Sequence, residues 1–99
     1  MALLIRAIGQ KGSRVESVYP KDGRVFTLEE LQAYVGGYVE ALKLVNGFIM
    51  WLNEDGKAMR LPFNLIANQL AHDTTGIAHC DTIVGDVVIA NYIESGEDA

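Results

Sequence analysis

Thr27-Leu-Glu-Glu-Leu-Gln-Ala-Tyr-Val-Gly-Gly-Tyr-Val-Glu-Ala-Leu42 carries a start signal, an apolar stripe and a stop signal for one short helix, followed at once by a strand. Thr27 with Glu30 three residues on is a capping box: the hydroxyl accepts an orphan first-turn amide, and the carboxylate reaches back to the N–H of the cap. Glu29 and Glu30 sit where the helix dipole favours negative charge. Leu28, Leu31, Val35 and Tyr38 recur at i, i+3, i+7 and i+10, giving one apolar face to lie on a sheet until Gly36-Gly37 ends the helix. A helix stopped this soon and continued as a strand points to an α+β domain.

Working outward, Ala2 to Ile8 and Arg14 to Tyr19 flank the turn cluster Gly9-Gln-Lys-Gly-Ser13 and read as a hairpin, with Val15, Ser17 and Tyr19 on one face. Pro20 closes it, and Lys21-Asp22-Gly23-Arg24 makes a tight turn ahead of the helix. Downstream, Tyr38 to Val45 and Phe48 to Leu52 flank Asn46-Gly47, the pairing expected of a type I′ hairpin. A second turn, Asn53 to Gly56, leads to a third strand over Lys57 to Arg60. Leu61-Pro62 then starts a second helix, with Phe63, Ile66, Ala67 and Leu70 inward and Asn64, Asn68 and His72 outward beside Leu65. After a loop over 73–81, the β-branched run Thr82 to Ala90 reads as a central strand covered on both faces. Gly85 within it marks a bulge or a close backbone approach. The predicted order is ββαβββαβ: a largely antiparallel sheet with two short helices packed on it, one domain over 1–93 and a disordered acidic tail over 94–99.

Composition bounds the function. The 99 residues are 49% hydrophobic and 21% charged, ordinary for a globular chain. The formal charge is −5, of which Glu94, Glu97 and Asp98 in the tail account for three units. No basic stripe is present, which argues against duplex nucleic acid. One cysteine, Cys80, excludes an internal disulfide, and no Cys or His pair has zinc spacing, so neither metal nor cofactor is expected and the reducing cytoplasm is the default compartment. No run is long enough to span a bilayer, so no membrane partner is expected.

No catalytic residue can be assigned. His79 and Cys80 are adjacent and point to opposite faces of an extended segment, so they do not form a nucleophile–base pair. His72, His79, Asp81 and Asp86 lack motif spacing, and no Walker loop, dinucleotide fingerprint or Gly-x-Ser-x-Gly elbow is present. Binding is better supported than catalysis. Arg60 directly precedes the second helix, whose unpaired first-turn amides can hold an anion, and Asn64 and Asn68 add amides on the outward side. Aromatics offer faces to a base. Tyr38, Trp51 and Tyr92 are assigned to the core or a sheet edge, whereas Tyr34, off the helix stripe, and Tyr19, next to the cations Lys21 and Arg24, are the accessible ones.

The motifs Thr27-Leu-Glu-Glu-Leu-Gln-x-x-Val-Gly-Gly-Tyr-Val-Glu, Asn53-Glu-Asp-Gly, Leu61-Pro-x-Asn64 and Asp81-x-Ile-Val-Gly-Asp-Val-Val-Ile, in this order over about residues 24–90, resemble a family of small uncharacterised-domain proteins of phages and mobile elements. Proteins of this size and origin include phage anti-CBASS sponges, homo-oligomers that sequester cyclic nucleotide immune signals without cleaving them. The resemblance implies a non-enzymatic immune-evasion protein in the cytoplasm of the infected host cell. Its ligand would be a cyclic di- or oligonucleotide held at sites shared between subunits. The alternative is an acidic inhibitor that docks on a host protein, with Leu65 in the contact.

Overall fold

Runs of consecutive apolar residues in three strands let one sheet bury both of its faces. The computed structural model describes residues 1–8, 13–44, 47–74 and 82–96; the turn at 9–12, Asn46 of the Asn-Gly turn, the loop with His79, Cys80 and Asp81, and 97–99 lie outside the described residues. The elements are β1 (Ala2–Ala7), β2 (Ser13–Val18), α1 (Leu28–Val35), β3 (Val39–Lys43), β4 (Phe48–Asn53), α2 (Leu65–Thr74) and β5 (Val87–Asn91). They form an antiparallel sheet of order β2-β1-β5-β4-β3, so the last strand in sequence lies in the middle. That is the place its unbroken apolar run predicts. Leu4, Ile49, Trp51 and Val88 pack under α1 with Leu31 and Phe26, whereas Ile5, Met50, Val87 and Ile89 pack under Ala67 and Ala71 of α2. The helices therefore lie on opposite faces, and the fold is α+β.

Helix α1 is built as its sequence dictates. The Thr27 hydroxyl accepts from the Glu30 amide at 3.1 Å, and Glu30 Oε1 accepts from the Thr27 amide at 3.1 Å. Gly36 ends the helix in the left-handed region at φ 81°, its amide donating to the Gln32 carbonyl at 2.8 Å. The apolar stripe is narrower than its spacing implies: Leu31 and Val35 are buried, whereas Leu28 and Tyr38 are exposed. The buried face is turned toward Tyr34, which meets the Phe26 ring edge-on at 6.3 Å, and Tyr38 lies beyond the stop. Val15, Ser17 and Tyr19 do share one side of the first hairpin, and it is the exposed one.

Four boundaries differ from expectation. Lys57 to Arg60 is not a strand. The Leu61 amide donates to the Gly56 carbonyl at 3.0 Å and the Arg60 amide to the Lys57 carbonyl at 3.0 Å, the bond pair of a Schellman motif. Arg60 occupies its left-handed position at φ 56°, where glycine is usual. Replacing it by glycine is expected to raise unfolding stability by about 0.5–1 kcal/mol, read by urea denaturation. The observed order is thus ββαββαβ, one strand fewer.

The second helix starts at Leu65, because Phe63 is drawn into a bridge with Val84. Thr82 to Asp86 is irregular, and only the rest of that run joins the sheet. Gly85 confirms the close approach: at φ 80° its Cβ position lies 2.7 Å from Leu61 Cδ1. Finally, the described part of the tail, Glu94 to Gly96, packs against the domain. Glu94 and Ser95 are buried, the Trp51 indole N–H donates to Ser95 Oγ at 3.0 Å, and the Phe26 amide donates to the Glu94 carbonyl at 2.8 Å. A buried tryptophan needs an acceptor for its N–H, and the tail supplies it.

Candidate functional site

The residues expected to bind a ligand fall into two groups. Asn64 and Asn68 belong to α2 and its cap, and both are committed to the fold. Asn64 is fully buried; its Nδ2 donates to the Ile5 and Gly85 carbonyls at 2.9 Å each, and its Oδ1 accepts from the Ala67 amide at 3.1 Å. Asn68 exchanges two bonds of 2.8 Å with the backbone of Ile83. Both amides are thus spent on backbone groups that would otherwise be left unpaired. The start of this helix is arranged differently from expectation. Asn64 caps it, and exposed Arg60 stands five positions before its first residue, Leu65.

The second group lies on the α1 side. Lys21 and Tyr34 line one cleft of about 460 Å³ with Asp22, Thr27, Glu29, Glu30 and Ala33. Tyr19 and Arg24 are exposed in the same β2–α1 connection but do not line the cleft. The connection is held by its carboxylates. Asp22 Oδ1 accepts from the Arg24 and Val25 amides at 2.7 and 2.9 Å, and Glu30 Oε2 accepts from the Lys21 amide at 3.0 Å. The Arg24 amide, then the Val25 amide, hold the Asp22 carboxyl below its usual range; the Thr27 amide, then that of Lys21, do the same for Glu30. Two of the three acids in the wall thus have their charge stabilised by backbone dipoles; Glu29, exposed as Asp22 is, has no such partner among the bonds described.

A depressed folded-state value stabilises the fold above the ordinary glutamate value of 4.5, and this stabilisation is lost as pH falls through the folded value. Acid titration followed by helical circular dichroism is therefore expected to loosen α1 below that point. Glu30→Gln, which preserves a capping box, is expected to flatten the dependence.

On the α2 side, a groove of about 500 Å³ lies beside edge strand β3, lined among others by Glu40, Leu42, Leu52, Glu54, Asp55, Lys57, Ile83 and Val84. Sequence reasoning missed it because its walls come from three separate stretches. Asp86 accepts from the Ala7 amide at 2.8 Å and from Arg6 Nη1 at 3.3 Å, beside an Arg6–Glu16 ion pair that raises the Arg6 pKa. It is a strand-end brace. Among the described residues no group of three or more His, Cys, Asp or Glu is placed to hold a metal, and no helix is long and apolar enough to cross a membrane.

A family profile described as a domain of unknown function, DUF3846, matches residues 5–99, reaching beyond the motif span at both ends. No curated protein matches and no solved structure matches.

Proposed function

The chain belongs to the DUF3846 family, and on that premise we propose that it is a non-enzymatic binding protein that sequesters a cyclic di- or oligonucleotide signal at a site shared between copies of the chain. The observation that carries the reading is the meeting of Lys21 and Tyr34 in one cleft, a cation for phosphate beside an aromatic edge for a base. Tyr19 and Arg24 flank it. The cleft is within the usual range of small-ligand pockets but offers a single ammonium, so a ligand with two phosphates draws its second cation from a neighbouring copy. Such a binder fits the phage immune-evasion role that the sequence motifs imply. Asn64, Asn68 and Arg60 take no part.

Calorimetry with a panel of cyclic dinucleotides and cyclic ADP-ribose isomers tests it. One nucleotide is expected to release heat, with Lys21→Ala weakening it about tenfold, or about 1.4 kcal/mol. Glu29→Gln is expected to strengthen it by removing the opposing charge. Solution mass should rise or hold at an oligomer on binding, and the nucleotide should be recovered unchanged. No heat from any nucleotide would move the assignment to the rival reading, an acidic inhibitor of a host protein, for which the outward Leu65, 43% exposed at the start of α2, is the supporting contact.

A further inference from the structure

We infer that the open edge of β3, with the groove beside it, takes an extended basic peptide segment of a protein partner as an added strand. Among the described residues β3 ends the sheet, pairing with β4 on one side only. The Leu44 amide donates to the Phe48 carbonyl and the Glu54 amide to the Tyr38 carbonyl, which sets the even-numbered residues of this hairpin facing β4. By alternation, the N–H and C=O groups of Val39, Ala41 and Lys43 point outward along the free edge. Such a row is a template for another strand.

The groove says what that strand carries. Glu40 pairs with Leu52 and Leu42 with Met50, so Glu40 and Leu42 stand on the α2 face. There Leu42, Leu52 and Ile83 form an apolar floor, and Glu40, Glu54 and Asp55 put three carboxylates on the walls against the single ammonium of Lys57. An added strand sends every second side chain over this face; long cationic chains lay their methylenes on the floor and their charge against the acids. The alternate side chains meet Val39, Ala41 and Lys43 on the α1 face, which favours uncharged β-branched residues there. The opposite edge, β2, lacks this combination, since Glu16 is already paired with Arg6 and Arg14. The site lies on the face away from the Lys21 cleft and does not depend on the nucleotide reading.

The test is fluorescence anisotropy with a short peptide alternating lysine and valine, alongside its glutamate–valine counterpart and a version methylated on every backbone amide. The lysine peptide is expected to bind, weakening with added salt, and the two controls to bind at least tenfold more weakly. Glu40→Lys with Glu54→Lys, both on exposed positions, is expected to cost tenfold or more while leaving the circular dichroism spectrum unchanged. Amide shifts on binding should centre on Val39, Ala41 and Lys43. Binding of the glutamate peptide as tightly, shifts centred on Arg14 to Val18, or no binding of the lysine peptide would overturn the proposal. So would concentration-dependent β3 shifts in the free protein, which would give that edge to a second copy of the chain.

Discussion

Asn64→Ala is expected to destabilise the protein by about 3 kcal/mol or more, because it strands the Ile5 and Gly85 carbonyls and the Ala67 amide, each a buried group costing about 1–3 kcal/mol when left unpaired. For a domain of this size that corresponds to a fall in melting temperature of roughly 12 °C or more. The instructive companion is Asn64→Asp. Aspartate is as good a cap as asparagine, so if the residue served only to start α2 the loss would be small, whereas a lost cap alone costs only about 1 kcal/mol. Here the side chain also donates twice to carbonyls from β1 and from the segment before β5. A carboxylate would bring charge against both oxygens and supply no proton. Aspartate is therefore expected to be no better than alanine, and recovery of most of the loss in the aspartate variant would reduce Asn64 to an ordinary cap.

Ending the chain after Ile93 is expected to cost about 2–5 kcal/mol, since two buried donors, the Trp51 indole N–H and the Phe26 amide, lose Ser95 Oγ and the Glu94 carbonyl. Both belong to the core face under α1, and Phe26 also supports Tyr34 in the wall of the proposed nucleotide cleft. Ser95→Ala should show part of the effect, about 1–2 kcal/mol, in urea denaturation. If the shortened chain unfolds at the same urea concentration as the intact one, the tail is silent after all.

The family match adds no activity to these residues, so the functional reading stands on the chemistry of the two surfaces. They invite different partners. One sets a lysine beside a tyrosine; the other sets carboxylates above an apolar floor along an open strand edge. The two are separable by experiment, because Lys21 and Glu54 are exposed and lie on different sides of the sheet.

By itself the sequence determined whatever is decided within a few residues of chain: the capping box of Thr27 and Glu30, the stop at Gly36, both antiparallel hairpins, and the central place of the apolar run at Val87. At the cap and the stop of α1 backbone amides find partners three or four positions away, short turns set the hairpin strands side by side, and an unbroken apolar run reports a strand buried on both faces. Lys57 to Arg60 reads as a strand in sequence because the left-handed turn that ends it, usually marked by glycine, is made here by arginine. Only the tertiary structure decided where the polar groups go. Asn64 meets the Ile5 carbonyl 59 positions away, and Trp51 meets Ser95 44 positions away. A buried donor must find an acceptor wherever the chain brings one, and spacing in sequence carries no trace of that choice. The same holds for the groove beside β3, whose acids and floor become neighbours only once the strands have paired and the segment before β5 has folded against them.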